Sequence, residues 1–133
     1  MRGLICAALL GTVWLAGPAR AETTAPAGPA GENRCGWLVN LTPGDWWLVD
    51  RHATWVLSSQ GNAEGPAATG LDRLPETRPP DYIEEGSGHG YGCACLNMIV
   101  DPATELVKQV LDGRALPLAT CQNDRSLPPL SKW

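Results

Sequence analysis

The chain has 133 residues, 14 of them acidic and 10 basic, with six tryptophans and no phenylalanine. Once an amino-terminal segment carrying Arg2 and Arg20 is removed, 112 residues remain, with 14 acidic against 8 basic groups and a net charge of about −6. That is one domain with a modest core, and its charge excludes nucleic acid and anionic membrane surfaces as favoured partners while attracting a basic protein.

Met1-Arg2, an apolar run from Gly3 to Gly17 and Ala19-Arg20-Ala21 are the three parts of a secretory signal peptide, with cleavage expected after Ala21. The run is shorter than the roughly 20 residues a spanning helix needs, so no membrane span is expected after processing. The product is expected in the periplasm or secreted. Residues 22–33 are rich in Ala, Pro, Gly and Thr and read as a flexible leader; residues 34–128 read as the folded domain and 129–133 as a tail.

Cys35 to Asn40 reads as a short strand. Turn residues Thr42-Pro43-Gly44-Asp45 precede a second strand at Trp46 to Asp50, and Arg51-His52-Ala53 leads to a third at Thr54 to Ser58. Together they predict an antiparallel meander. Gly61 to Gly90 has four prolines and few large apolar residues, and is read as a long functional or disordered loop. Tyr91 to Val100 is the longest strand candidate. Glu105 to Leu111 fits both helical spacing and a Val-rich strand; the strand, paired back through Asp101-Pro102, is favoured. Asp112-Gly113 is a hairpin dipeptide. The fold class expected is all-β, a small antiparallel meander or barrel-like sheet stapled by two disulfides.

Four cysteines survive processing: Cys35, Cys93, Cys95 and Cys121. An even count in a short exported chain implies two bridges. Residues two apart on a strand have parallel Cβ vectors, so Cys93–Cys95 is the poorest pairing. Cys35 then pairs with one member of the pair and Cys121 with the other, in either order. A zinc site using His89 is the rival reading, but one residue between Cys93 and Cys95 is not knuckle spacing, and no metal or cofactor is expected.

Trp46 and Trp47 are adjacent and must face opposite sides of their strand. Either could be an aromatic platform for a sugar or peptide, although a chain without Phe also needs Trp for its core. Gly86, Gly88, Gly90 and Gly92 alternate without matching a phosphate-binding spacing, and read as accommodating a strand. His52 and His89 stand near Ser58, Ser59, Ser87, Asp45 and Asp50, but no nucleophile elbow or metalloprotease helix appears. Asp45 and Asp50 read as turn-makers, and the chain is not expected to be an enzyme.

The runs Asn33 to Leu38, Thr42 to Leu48 with Asp50-Arg51, Gly90 to Leu96, and Leu116-Pro117-Leu118 with Cys121 resemble the short exported bacterial proteins of the domain-of-unknown-function 4087 family. The likeness spans roughly Asn33 to Pro128; it implies an envelope location and a stand-alone domain, and brings no activity. Ser87-Gly88-His89-Gly90-Tyr91 also has the S-G-x-x-Y form of the bacterial inhibitors of c-type lysozyme, whose loop enters the enzyme's cleft. The inhibitors' second motif is not found in this chain. The function expected is a non-catalytic binding module of the cell envelope, its partner an envelope protein or glycan. Its site is expected where the Gly61–Gly90 loop meets the exposed member of the Trp46/Trp47 pair, with Ser87 and Tyr91 as further candidates; lysozyme inhibition is the alternative.

Overall fold

Alternation along the first strand sets the architecture. In β1 (Glu32–Thr42), Leu38 and Asn40 face one side, while Trp37, Val39 and Leu41 face the other. Both sides are buried from Gly36 to Asn40, so each must be covered. The computed structural model, which describes residues 30–86 and 88–130, shows how. The expected signal peptide, most of the segment read as leader, Ser87 and residues 131–133 lie outside the described residues.

β1 turns at Pro43-Gly44 into β2 (Asp45–Val49), which leads to β3 (Thr54–Ser58), the expected meander. β4 (Tyr82–Gly86) and β5 (His89–Asp101) form a hairpin, and β6 (Leu106–Leu116) folds back on β5. β5 also pairs with β1 over nine residues, from Glu32↔Met98 to Asn40↔Gly90. β6 meets β3 in parallel at Val56↔Leu106. The sheet therefore closes through β1-β2-β3-β6-β5 and back to β1, with β4 continuing the β5 edge beyond β6. A five-stranded, partly open Greek-key barrel with this order and one parallel pair is of the OB type.

The barrel interior holds Leu38, Leu48, Trp55, Leu57, Leu96, Met98, Val107 and Val110, with Trp46 packed against them. A second, smaller cluster lies on the outer face. There Trp37, Val39, Val49 and Cys93 are covered by α1 (Leu118–Gln122) and the chain after it, through Cys121, Leu127 and Leu130. The two bridges are Cys35–Cys95 and Cys93–Cys121. Both members of the C-x-C pair point outward from β5: one ties strand to strand, the other fastens α1 to the barrel.

Several expectations are corrected. The strand begins at Glu32, inside the segment read as leader, because Glu32 and Asn33 pair with Met98 and Asn97. Residues 61–90 are not one structureless loop. They include β4, and Ala68 and Thr69 fill the seam between β3 and β6. The Ala68 amide donates to Leu57 O at 2.7 Å, Thr69 N to Lys108 O at 3.1 Å, and Val110 N to Thr69 O at 2.8 Å. The short β3–β6 pairing leaves main-chain groups that only an inserted segment can satisfy. Gly70, at φ 76°, allows the chain to leave the seam, since a Cβ there would strike the Val110 carbonyl. Asp112-Gly113 makes no hairpin; it lies inside β6 beside a bulge between the pairs Asn97↔Asp112 and Met98↔Val110. Leu130, read as tail, packs on the outer cluster.

Candidate functional site

Strand register places the outward residues of five strands in a single row. Val56 of β3 lies opposite Trp47 of β2, Trp47 opposite Val39 of β1, Val39 opposite Tyr91 of β5, and Tyr91 opposite Ile83 of β4. Directly opposed residues share a face. Val39 is buried at the centre, Val56, Trp47 and Tyr91 are half-buried, and Ile83 is exposed at 36 %. Tyr91 stands edge-on to Trp37, 5.9 Å between centroids and 85° between planes, which fixes its ring.

Beside this row is a cavity of about 520 Å³, lined among others by Val39, Leu41, Glu85, His89, Tyr91 and Leu130. Val39, Leu41, Leu130 and the Tyr91 ring share its wall with the polar groups of Glu85 and His89, polar and apolar surface in about equal measure. Asn40 also lines it and donates from Nδ2 to Gly88 O at 2.8 Å, tying the β4–β5 turn to β1.

The four predicted binding residues separate. Trp47 and Tyr91 come together on the outer face, two strands apart across Val39. Trp46 is turned inward against the main core, opposite Asn40 and Ser58, so it offers no platform. Ser87 lies outside the described residues. Sequence reasoning missed Val39, Ile83 and Leu41, ordinary apolar residues whose role comes from cross-strand register, for which one strand read alone carries no signal.

The alternating glycines have a packing cause. Gly90 and Gly92 face inward; a Cβ on Gly90 would strike the Ile83 carbonyl and then the Tyr82 ring, and one on Gly92 would press on the Asp81 carbonyl and the same ring. Tyr82 pairs with Gly92 and is buried, and burial together with the charge of Glu84 raises its pKa.

At the opposite end of the barrel, Arg34 lies over Trp55, its Cζ 4.1 Å from the ring centroid. It donates to Asp50 at 2.9 Å and to Glu32 at 2.5 and 3.0 Å. Asp50, 5 % exposed, also accepts the main-chain N–H groups of His52 (2.7 Å) and Ala53 (2.9 Å). Burial pushes this carboxyl up, but those two amides and Arg34 outweigh it and hold it below the ordinary range. What His52 gives Asp50 is thus its backbone, in a turn-making role. Asp45 likewise accepts from Gln60 N at 2.6 Å and from the Thr42 hydroxyl. Among the described residues no group of three or more His, Cys, Asp or Glu is placed to hold a metal ion.

The fold and site define a disulfide-stapled, OB-type barrel protein with an aromatic outer face. Residues 29–128 match the family model described as protein of unknown function (DUF4087), and the chain belongs to that family. No curated protein and no solved structure matches the chain.

Proposed function

We propose that this chain is an exported, non-catalytic binding module of the bacterial cell envelope, delivered by a signal peptide cleaved after Ala21. Its ligand, a segment of an envelope protein or a glycan, contacts the Trp47–Val39–Tyr91–Ile83 row and the adjoining cavity. The observation that carries this reading is the convergence of two aromatic residues, Trp47 and Tyr91, and a 520 Å³ cavity on one face. Both bridges suit an oxidising compartment, and no helix of the described residues is long and apolar enough to cross a membrane. The acidic balance supports a basic partner.

Tryptophan fluorescence and thermal shift against peptidoglycan fragments and purified envelope proteins test it. A binder should shift both signals, and Tyr91→Ala should weaken that binder at least tenfold with the barrel intact. A ligand that binds Tyr91→Ala and Trp47→Ala as well as it binds the unaltered protein would remove the face from consideration. Lysozyme inhibition is the competing outcome of the same experiment. Tyr91 sits within β5 between Val39 and Ile83, so a cleft would have to close over the sheet to reach it. A turbidity assay in which the domain protects cells from c-type lysozyme, and Tyr91→Ala does not, would favour the inhibitor.

A further inference from the structure

The two disulfides sit in different surroundings, and the difference is chemical. Cys93 and Cys121 are both buried, at 2 % and 3 % exposure, beneath α1 with Leu116 and Leu118. In the other bridge only Cys95 is buried, at 3 %, while Cys35 is exposed. Cys35 borders a second cavity, of about 370 Å³, whose walls include Asn33, Arg34, Arg51, His52 and Ser126. Directly opposite Cys95 on β6 stands Arg114, whose guanidinium lies 3.5 Å from the Cys95 sulfur. One cysteine is exposed at the edge of a cavity, and the sulfur of the other has a cation beside it.

We propose that Cys35–Cys95 is a thiol–disulfide exchange site, in which a partner thiolate attacks the Cys35 sulfur and Cys95 departs as a thiolate held by Arg114. Exchange is governed by which sulfur is reachable and by how well the leaving sulfur carries negative charge. A guanidinium at hydrogen-bond distance supplies the second condition. The attacking sulfur forms a new S–S bond with Cys35, and the electron pair of the old bond goes to Cys95. A second thiolate, from the same partner dithiol, then attacks the partner sulfur of the mixed disulfide. Cys35 leaves as a thiolate and takes up a proton from water. Two electrons have passed from the partner dithiol, now a disulfide, to the Cys35/Cys95 pair.

The fold tolerates the change. Eight further β1–β5 register pairs flank Cys35↔Cys95, and Cys93–Cys121 remains closed, so the bridge can open while the barrel stands. This inference is independent of the ligand face on the other rows of the sheet. It concerns a covalent partner, a protein dithiol, recognised by its thiolate.

The test is limited reduction of the folded, oxidised domain with reduced glutathione or dithiothreitol, quenched with N-ethylmaleimide and read by peptide mass spectrometry. Label should appear first on Cys95, together with glutathione on Cys35 where glutathione is the reductant, then label on Cys35, while Cys93 and Cys121 stay unlabelled. Arg114→Ala should slow the first step about threefold or more, and Arg114→Lys should restore most of the rate. Should Arg114→Ala unfold, thiolate absorbance in the reduced, unaltered protein replaces it, with Cys95 expected to ionise below the ordinary thiol value of about 8.5. Simultaneous opening of both bridges, earlier opening of Cys93–Cys121, or a rate indifferent to Arg114 with Cys95 titrating normally would each overturn the proposal.

Discussion

Asp50 carries more structural responsibility than its place in a turn suggests. It follows directly on β2, anchors the connection to β3 through two amides, and holds Arg34 across the mouth of the barrel. Its carboxylate is nearly inaccessible, and Arg34 is 18 % exposed. Asp50→Asn leaves the guanidinium with Glu32 alone and weakens both turn amides. The expected cost is about 2–3 kcal/mol, below that of a fully buried pair because water still reaches Arg34; the urea midpoint measures it. The same group sets a pH dependence. Its pKa is lower folded than unfolded, so its contribution is complete above the unfolded value of about 3.9 and fades as pH falls through the folded one. Melting temperature should therefore hold steady at neutral pH and drop below about pH 4, and Asp50→Asn should show a shallower acid decline. The sequence reading of Asp50 as a turn-maker was correct at this scale. The ion pair was invisible, since Arg34 and Asp50 are neighbours only after β1 and β2 have paired.

β5 is the element on which the others converge, pairing with β1, β4 and β6. The glycine-rich approach to it was legible as a strand needing room, and the cause is the close approach of β4, through the Ile83 carbonyl and the Tyr82 ring. Gly90→Val should force that ring out of its place and lift β4; hydrogen exchange should rise across Tyr82 to Gly86, with an overall loss of about 1–3 kcal/mol. The ambiguous Glu105–Leu111 segment proves to be strand from Leu106 onward, with Val107 and Val110 both inward because a bulge shifts the register between them. A second bulge, between the pairs Asn97↔Asp112 and Met98↔Val110, lies beside Asp112-Gly113, the dipeptide that misled. A turn dipeptide is a local preference, whereas β6 keeps nine register pairs with β5, and the ladder overrides it. Trp46 and Trp47 were separable by parity alone, but which of them faced the core depended on closure of the sheet.

Closure is the property of the whole molecule that sequence patterns carried least. The strands and the number of bridges could be read from alternation and cysteine count, but the parallel β3–β6 contact joins segments about fifty residues apart with no connecting motif. The seam segment 68–70 looked featureless for the same reason: Ala68 and Thr69 matter through their main chain. Gly70→Ala is expected to cost more than 1 kcal/mol in thermal unfolding, because it meets both an unfavourable φ and the Val110 carbonyl. Removing the Cys93–Cys121 bridge by paired alanines should lower stability by roughly 3.5 kcal/mol, the loop-closure value for its 28-residue span, with α1 losing exchange protection before the barrel does.

The order of the four bridging cysteines along the chain has a consequence for how the protein is made. The pairs 35–95 and 93–121 interleave, so neither bridge joins consecutive cysteines. A polypeptide threaded amino-terminus first into an oxidising compartment presents Cys35, then Cys93, before the correct mate of either. An oxidase that joins sulfurs as they emerge would link Cys35 to Cys93 and leave Cys95 to Cys121, and a proofreading isomerase would have to undo both. Cells lacking such an isomerase should accumulate this swapped isomer, recognisable by its peptide map.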